Sequence, residues 1–319
     1  MNSLETVSIN GDKQWIYIRS KNENNPILLF LHGGPGAAQI YCVDNYFKDL
    51  EESFIVVDWD QRGSGKSYNS KITKEPLTIN QYLEDTKVLA EMLMKRFNKN
   101  KILLVGHSWG SIIGLLAVQK YPHLFQCYIG IGQVINLLEG EIIGYDYALK
   151  QSKLNNDISN RKKLEKIGPP PYPTLYKTAL FRNILDKYGG YKYQQKTSLW
   201  NDYLKEMIES KHYRLTDTFK WFRGTNYLVK SLRDEMLTIN FKEQVTSVAI
   251  PVYFLAGKYD YITPTTIVEE YYELIKSPAK KLIYFEKEGH DLHFENSKKF
   301  MEICQEILFS FEDSKQNFI

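Results

Sequence analysis

Five consecutive residues, Gly106-His107-Ser108-Trp109-Gly110, form a G-x-S-x-G pattern. They directly follow the apolar run Ile102–Val105 and precede a helical stretch, Ser111–Lys120. That context presents a serine on a tight strand-to-helix turn, where a side chain at either glycine would collide with neighbouring backbone. The helix that follows aims its first amides at developing negative charge. A serine hydroxyl is a poor nucleophile at neutral pH and needs a general base, itself oriented by a carboxylate. His290, in Glu286-Lys287-Glu288-Gly289-His290 after the run Lys281–Phe285, is the expected base. Asp260, in Gly257-Lys258-Tyr259-Asp260 after Pro251–Ala256, is the expected orienting acid.

Other residues compete for these roles. His293 falls near the start of the last helix and is expected at the rim or as a cap. His32 and His107 lie within other motifs and are expected to hold loops. Asp291 adjoins His290, and since neighbouring side chains rarely face each other, Asp260 is preferred. Asp58 and Asp60 are expected to tie down their own loop through Arg62. Acyl transfer also calls for two backbone N–H donors where the carbonyl oxygen gathers charge. Trp109, immediately after the serine, is expected to supply one. Gly34 is expected to supply the other from His32-Gly33-Gly34-Pro35-Gly36, where Gly33 also brings the backbone close to a substrate.

These loops need a scaffold, and the chain alternates between strand and helix signals. Val7–Ile9 and Trp15–Ile18 flank the turn Asn10-Gly11-Asp12 as a hairpin. Ile27–Leu31, Phe54–Val57, Ile102–Val105 and Gln126–Ile131 are short apolar runs suited to buried strands. Between them, Ile79, Tyr82, Leu83, Val88, Leu89, Met92 and Leu93 follow a helical period, with Thr78 as N-cap. After Gly132 the pattern becomes helical, with a break at Gly168-Pro169-Pro170-Pro171-Tyr172-Pro173, until Pro251–Ala256, Pro264–Ile275, Lys281–Phe285 and Glu295–Phe311 restore the alternation. The expected class is α/β: a mostly parallel central sheet with helices on both faces and an inserted helical cap.

A chain of 319 residues would by length suggest two domains of roughly 150. The pattern instead predicts a core of 1–132 and 250–319, 202 residues, interrupted by a cap of 117 residues at 133–249. The cap carries 19 Lys/Arg against 13 Asp/Glu, net +6, and the rest 22 against 25, net −3, so the overall +3 conceals a split. Ten of the 23 tyrosines and two of the five tryptophans lie in the cap, which suits a small, partly apolar substrate. The small net charge without long basic runs argues against nucleic acid. With no signal peptide, no apolar run long enough to span a membrane, and only Cys42, Cys127 and Cys304, a reduced cytoplasmic setting without a membrane partner is expected. No phosphate loop, dinucleotide fingerprint or metal-ligand cluster is present, so no cofactor or metal is expected.

Three segments together, His32-Gly33-Gly34-Pro35-Gly36, Trp59-Asp60-Gln61-Arg62-Gly63-Ser64-Gly65-Lys66-Ser67 and Gly106-His107-Ser108-Trp109-Gly110-Ser111, resemble the α/β-hydrolases of the proline iminopeptidase group. With the Asp260 and His290 loops, the resemblance covers the core almost end to end. It implies the order Ser108, Asp260, His290, a helical cap, and removal of an N-terminal residue, often proline, from a short peptide or small amide. In that group cap glutamates hold the substrate's α-amine, one of them in a Trp-Glu pair. The matching stretch here is Trp200-Asn201-Asp202, with asparagine in the glutamate's place. Trp200 and Glu206 are the expected substrate contacts, with Asp202, Glu209, Asp234 and Glu235 as further acids able to substitute. An ammonium taken out of water needs a carboxylate partner, so a pocket lacking one would favour a neutral ester, amide or lactone. A ligand-sensing receptor with a vestigial triad is the remaining alternative.

Overall fold

The structure, a computed structural model, describes residues 1–70, 72, 77–172, 174–193 and 199–316, without the side chains of 175, 199, 200 and 312–316. Eight strands form one sheet: β1 (Asn2–Ile9), β2 (Asp12–Arg19), β3 (Ile27–Leu31), β4 (Ile55–Asp60), β5 (Ile102–His107), β6 (Phe125–Ile131), β7 (Val252–Gly257) and β8 (Lys280–Phe285). Their order is β1-β2-β4-β3-β5-β6-β7-β8. β1 and β2 pair antiparallel, as do β2 and β4, and every pairing from β4 to β8 is parallel.

Local chemistry accounts for most of these elements. Asn10 and Gly11, at φ 47° and 79°, turn β1 into β2 with the twist a two-residue hairpin requires. Every residue of β3 and β5 is buried, as expected for parallel strands covered on both faces. Helix Ile79–Phe97 begins at Thr78, whose hydroxyl accepts from the Gln81 amide while Gln81 reaches back, a capping box. Several boundaries differ from the sequence reading: β1 starts at Asn2 rather than Val7, and β4 runs Ile55–Asp60 rather than Phe54–Val57. The helix after β5 begins at Trp109 rather than Ser111, so Ser108 itself stands at its N-terminus. The closing helix, expected over Glu295–Phe311, spans Ser297–Gln316, and a separate short helix, Leu292–Glu295, precedes it.

Between β6 and β7 the described chain is helical, comprising Leu137–Leu154, Ile158–Ile167, Leu175–Lys187, Leu199–Glu209, Leu215–Leu237 and Phe241–Gln244. Trp221 Nε1 in this region donates to the Ala38 carbonyl at 2.9 Å, and Thr225 Oγ1 to that of Gly36 at 2.9 Å, seating these helices over the loop after β3. Cys42, Cys127 and Cys304 are free and buried. Among the described residues, no helix is long and apolar enough to cross a membrane. The loops after β3, β5, β7 and β8 all leave the carboxyl ends of parallel strands, where open α/β sheets collect their ligands.

Candidate active site

Ser108 leaves β5 with φ 53° and ψ −115°, a conformation that costs a non-glycine residue about 1–3 kcal/mol and persists only when neighbours impose it. Its amide donates to Ile131 at 3.0 Å, and its carbonyl accepts from the Ser111 hydroxyl at 2.6 Å. The flanking glycines are forced by packing: a Cβ on Gly106 would lie 2.5 Å from the Gly110 carbonyl oxygen, and one on Gly110 2.1 Å from that of Leu31.

His290, Asp260 and Ser108 form one hydrogen-bonded chain. His290 Nε2 lies 2.9 Å from Ser108 Oγ, and His290 Nδ1 lies 2.8 Å from Asp260 Oδ2. Asp260 is itself held: Oδ1 accepts from the amides of Ile262 and Thr263, each at 2.8 Å, and Oδ2 from the Thr263 hydroxyl at 2.6 Å. The His290 amide donates to Tyr191 O at 2.6 Å, and the Tyr191 ring meets the imidazole edge-on at 5.2 Å, so a residue of the helical insert positions the His290 loop.

A cavity of about 270 Å³ opens above Ser108, bounded by Gly33, Gly34 and Trp109 from the core and by Tyr191, Tyr203 and Trp221 from the insert. Its size is at the lower edge of small-molecule sites, roughly 300–1,000 Å³. A Cβ on Gly33 would stand 3.3 Å from Ser108 Cβ, which measures how closely the loop after β3 approaches the serine. Gly34 has φ 122°, a conformation only glycine adopts without strain. The Trp109 amide, first of its helix, has no intrahelical acceptor. The Trp109 indole instead donates to Gln61 Oε1 at 3.0 Å, and Gln61 Nε2 donates to His32 O at 3.2 Å, so the loop after β4 braces the other two.

Among the neighbouring titratable groups, His32 and His107 hold loops as expected, whereas His293 and Arg62 do not follow the sequence reading. His32 Nδ1 meets Gly33 O at 2.8 Å, and His107 Nε2 meets His290 O at 3.1 Å; burial pulls both imidazoles down to about 4, so both are neutral loop holders. His293 is not at the rim. It is fully buried against the rings of Phe30, Phe47, Phe294 and Phe300, and burial drives its pKa well below the ordinary value. Its ring spacing of 4.3 Å to His107 reflects the Phe-rich core that closes over the helix start. Arg62 does not serve Asp58 or Asp60: it grips Asp85 at 2.7 and 2.9 Å. Asp58 pairs with Arg19 at 2.7 Å.

Asp60 accepts from the Lys66 amide at 2.8 Å and from the Tyr213 hydroxyl, tying the insert to β4. Burial pushes its carboxyl from the ordinary 3.8 up to about 7, against those hydrogen bonds and the Lys66 charge. Because the folded value exceeds the unfolded one, the native state holds more protons between those limits. Stability should therefore fall as pH rises from about 4 to 7, by at most about 1.4 kcal/mol per pH unit for one group. Asp60→Asn removes this dependence. Denaturant titrations across that window should show the variant gaining on the parent as pH rises, and a pH-independent difference would refute the assignment.

The expected substrate contacts are split. The Trp200 side chain lies outside the described residues; its backbone is in the first turn of helix Leu199–Glu209. Glu206 does not line the Ser108 cavity. It faces a neighbouring cavity with Lys192, Asp202 and Lys205, accepts from the Tyr46 hydroxyl, and burial raises its carboxyl above the ordinary value. Among the described residues, two other carboxylates border the Ser108 cavity, Glu141 and Asp291. Asp291, 1% exposed, accepts from Tyr203 at 2.9 Å and stands 3.6 Å from Lys192. Burial pushes its carboxyl up, but Lys192, His107, His290 and the Tyr203 hydrogen bond outweigh it, leaving the group below the ordinary range. Glu141 pairs loosely with Arg182 at 3.5 Å. Glu141 shares the segment Leu137–Ile143 with Glu139, so nothing in the sequence singled it out. Asp291 offered only its adjacency to His290.

Comparison with known proteins agrees with this architecture. A family model described as alpha/beta hydrolase fold matches residues 26–297. The chain is 36% identical over 300 residues to "Probable aminopeptidase YbaC" of Bacillus subtilis, covering 93% of each. It is 26% identical over 306 residues to a proline iminopeptidase of Saccharolobus solfataricus, covering 91% of this chain and 86% of that one. Among solved structures, a proline iminopeptidase of Mycobacterium smegmatis superimposes with a TM-score of 0.69 at 16% identity, covering 98% of this chain and all of that one, which bears on fold alone. With the sheet order, the serine turn and the matched span in agreement, the chain belongs to the alpha/beta hydrolase fold family.

Proposed function

We propose that this protein is a serine aminopeptidase that releases a small N-terminal residue, proline or another, from short peptides or amides. The observation that carries the proposal is the single bridge from Asp260 through His290 to Ser108, at 2.8 and 2.9 Å. Ser108 Oγ attacks the carbonyl carbon while His290 Nε2 takes its proton. The carbonyl electron pair moves onto oxygen, where the Gly34 and Trp109 amides receive it. Collapse breaks the C–N bond, and His290 returns the proton to the leaving amine. Water then repeats the cycle on the acyl-enzyme, with His290 again as base. Asp260 keeps the imidazole in the tautomer whose Nε2 can accept.

The peptide part of the reading rests on charge. An α-ammonium entering a largely apolar cavity needs a carboxylate, and Asp291, ionised and adjacent to His290, meets that need. The similarity to the aminopeptidase and proline iminopeptidase relatives supports the same reading. Residues 133–249 act in this reading as a cap that selects substrate, with Tyr191, Tyr203 and Trp221 as its aromatic wall.

The test is turnover by the purified protein on aminoacyl 4-nitroanilides, prolyl among them, alongside their N-acetyl counterparts and short acyl esters. Hydrolysis of the free-amine anilides, lost on acetylation, is the expected result. Anilide hydrolysis that survives acetylation would move the assignment to neutral amides, and turnover of the acyl esters alone to an esterase or lactonase.

A further inference from the structure

The insert helix Leu215–Leu237 runs along the cavity, and Trp221, Thr225, Val229 and Arg233 line it at intervals of four residues, one stripe of a helix surface. The three polar or aromatic members mark positions along that stripe. Trp221 stands beside Tyr203, which bonds Asp291, with ring centroids 6.2 Å apart. Thr225 is bonded to Gly36 in the loop that brings Gly34 to Ser108, so it marks the level of the reacting carbonyl. Arg233 lies two further turns on, about 12 Å along the axis at 1.5 Å per residue. The cavity is therefore polarised, with a buried carboxylate at one end and a guanidinium at the other.

That guanidinium is available. The other arginine lining the cavity, Arg182, is paired with Glu141. Among the described residues, no carboxylate lies within ion-pairing distance of Arg233, whose neighbours along the wall include Val229, Met236 and Leu237. A guanidinium beside an apolar cavity gains most from a planar anion able to take two parallel N–H donors, and a carboxylate has that geometry. We infer that Arg233 is a specificity-determining residue that binds the free C-terminal carboxylate of the substrate, so that the preferred substrates are short peptides with both termini free. The span from Thr225 to Arg233 equals three to four extended residues, and the arginine side chain bridges part of it, which fits di- and tripeptides. This inference rests on the aminopeptidase reading above.

The experiment compares kcat/KM for Pro-Gly-Gly and for its C-terminal amide, with prolyl 4-nitroanilide as a substrate that lacks the carboxylate. The wild-type protein should prefer the free acid over the amide by about tenfold or more, chiefly through KM, equivalent to about 1.4 kcal/mol. In Arg233→Met the acid-to-amide ratio should fall toward one, and Arg233→Lys, which keeps the charge but loses the fork, should retain an intermediate ratio. Because each variant is judged by a ratio of two substrates, a change in the amount of folded protein cancels. No acid preference in the wild type, or an undiminished one in Arg233→Met, overturns the inference while anilide turnover leaves the aminopeptidase reading standing. Failure of the wild type on all three substrates and on the other aminoacyl 4-nitroanilides overturns the aminopeptidase reading and the inference with it.

Discussion

Ser108→Ala is expected to lower kcat on the best substrate by about 10⁴- to 10⁶-fold with little change in thermal stability. The loss is large because the residues of such a unit act together: without Oγ no acyl-enzyme forms, and His290 and Asp260 have nothing to activate. What survives comes from the oxyanion donors and the binding cavity acting on a water attack. Stability should hold because the strained turn at φ 53° is imposed by backbone bonds to Ile131 and Ser111, which alanine keeps, and because alanine and serine bear the same steric cost there. Steady-state rates on the wild type and variant, with melting curves on both, check this. A variant retaining more than about a hundredth of the activity would mean that Ser108 is not the nucleophile. Absence of turnover in the wild type itself would favour a receptor that kept the fold.

Asp260→Asn should cost about 10⁴-fold in kcat near neutral pH, and the surrounding hydrogen bonds explain why so conservative a change does so much. Oδ1 accepts two backbone amides, from Ile262 and Thr263. In the variant the amide oxygen is held at that position, which turns its NH₂ toward His290 Nδ1. An NH₂ can only donate there, so the imidazole must carry its proton on Nε2, facing Ser108 Oγ, and can no longer accept the serine proton. The backbone anchoring survives, so the protein should remain folded and should still bind substrate. Pre-steady-state measurement of acyl-enzyme formation separates this from a binding defect. A loss confined to KM would contradict the tautomer role of Asp260.

The three residues that form the hydrogen-bonded chain could be picked out in the sequence because each is announced locally. Ser108, Asp260 and His290 all follow a short apolar run that suits a buried parallel strand, and each is preceded by a glycine within a few residues. Such signals need no knowledge of distant contacts, since the strand, the turn and the exit point are encoded in one stretch of chain. The boundaries suffered where a local signal was weak. Trp109 begins its helix without a side-chain cap, so nothing in the pattern marked the start two residues before Ser111. At the C-terminus, the closing helix starts at Ser297 rather than Glu295, after a one-turn helix, Leu292–Glu295, that is too short to leave a periodic signal.

By itself the sequence determined the α/β alternation, the break in it after β6, the glycine-flanked serine turn, and the histidine and aspartate loops that follow later strands. Only the tertiary structure decided which side chains line the Ser108 cavity. Periodicity tells which face of a helix is apolar but not how the helix is rotated over the core. Glu206 accordingly turns to a second cavity, while Arg233 comes to line the Ser108 cavity along with Asp291, which only its adjacency to His290 had marked. The same limit governed the ion pairs: Arg62 takes Asp85, 23 residues away, and Asp60 takes Tyr213 from the insert, because long-range packing sets which charges are buried together. His293 is the plainest case, polar in sequence yet enclosed by four phenylalanine rings that only the folded chain assembles.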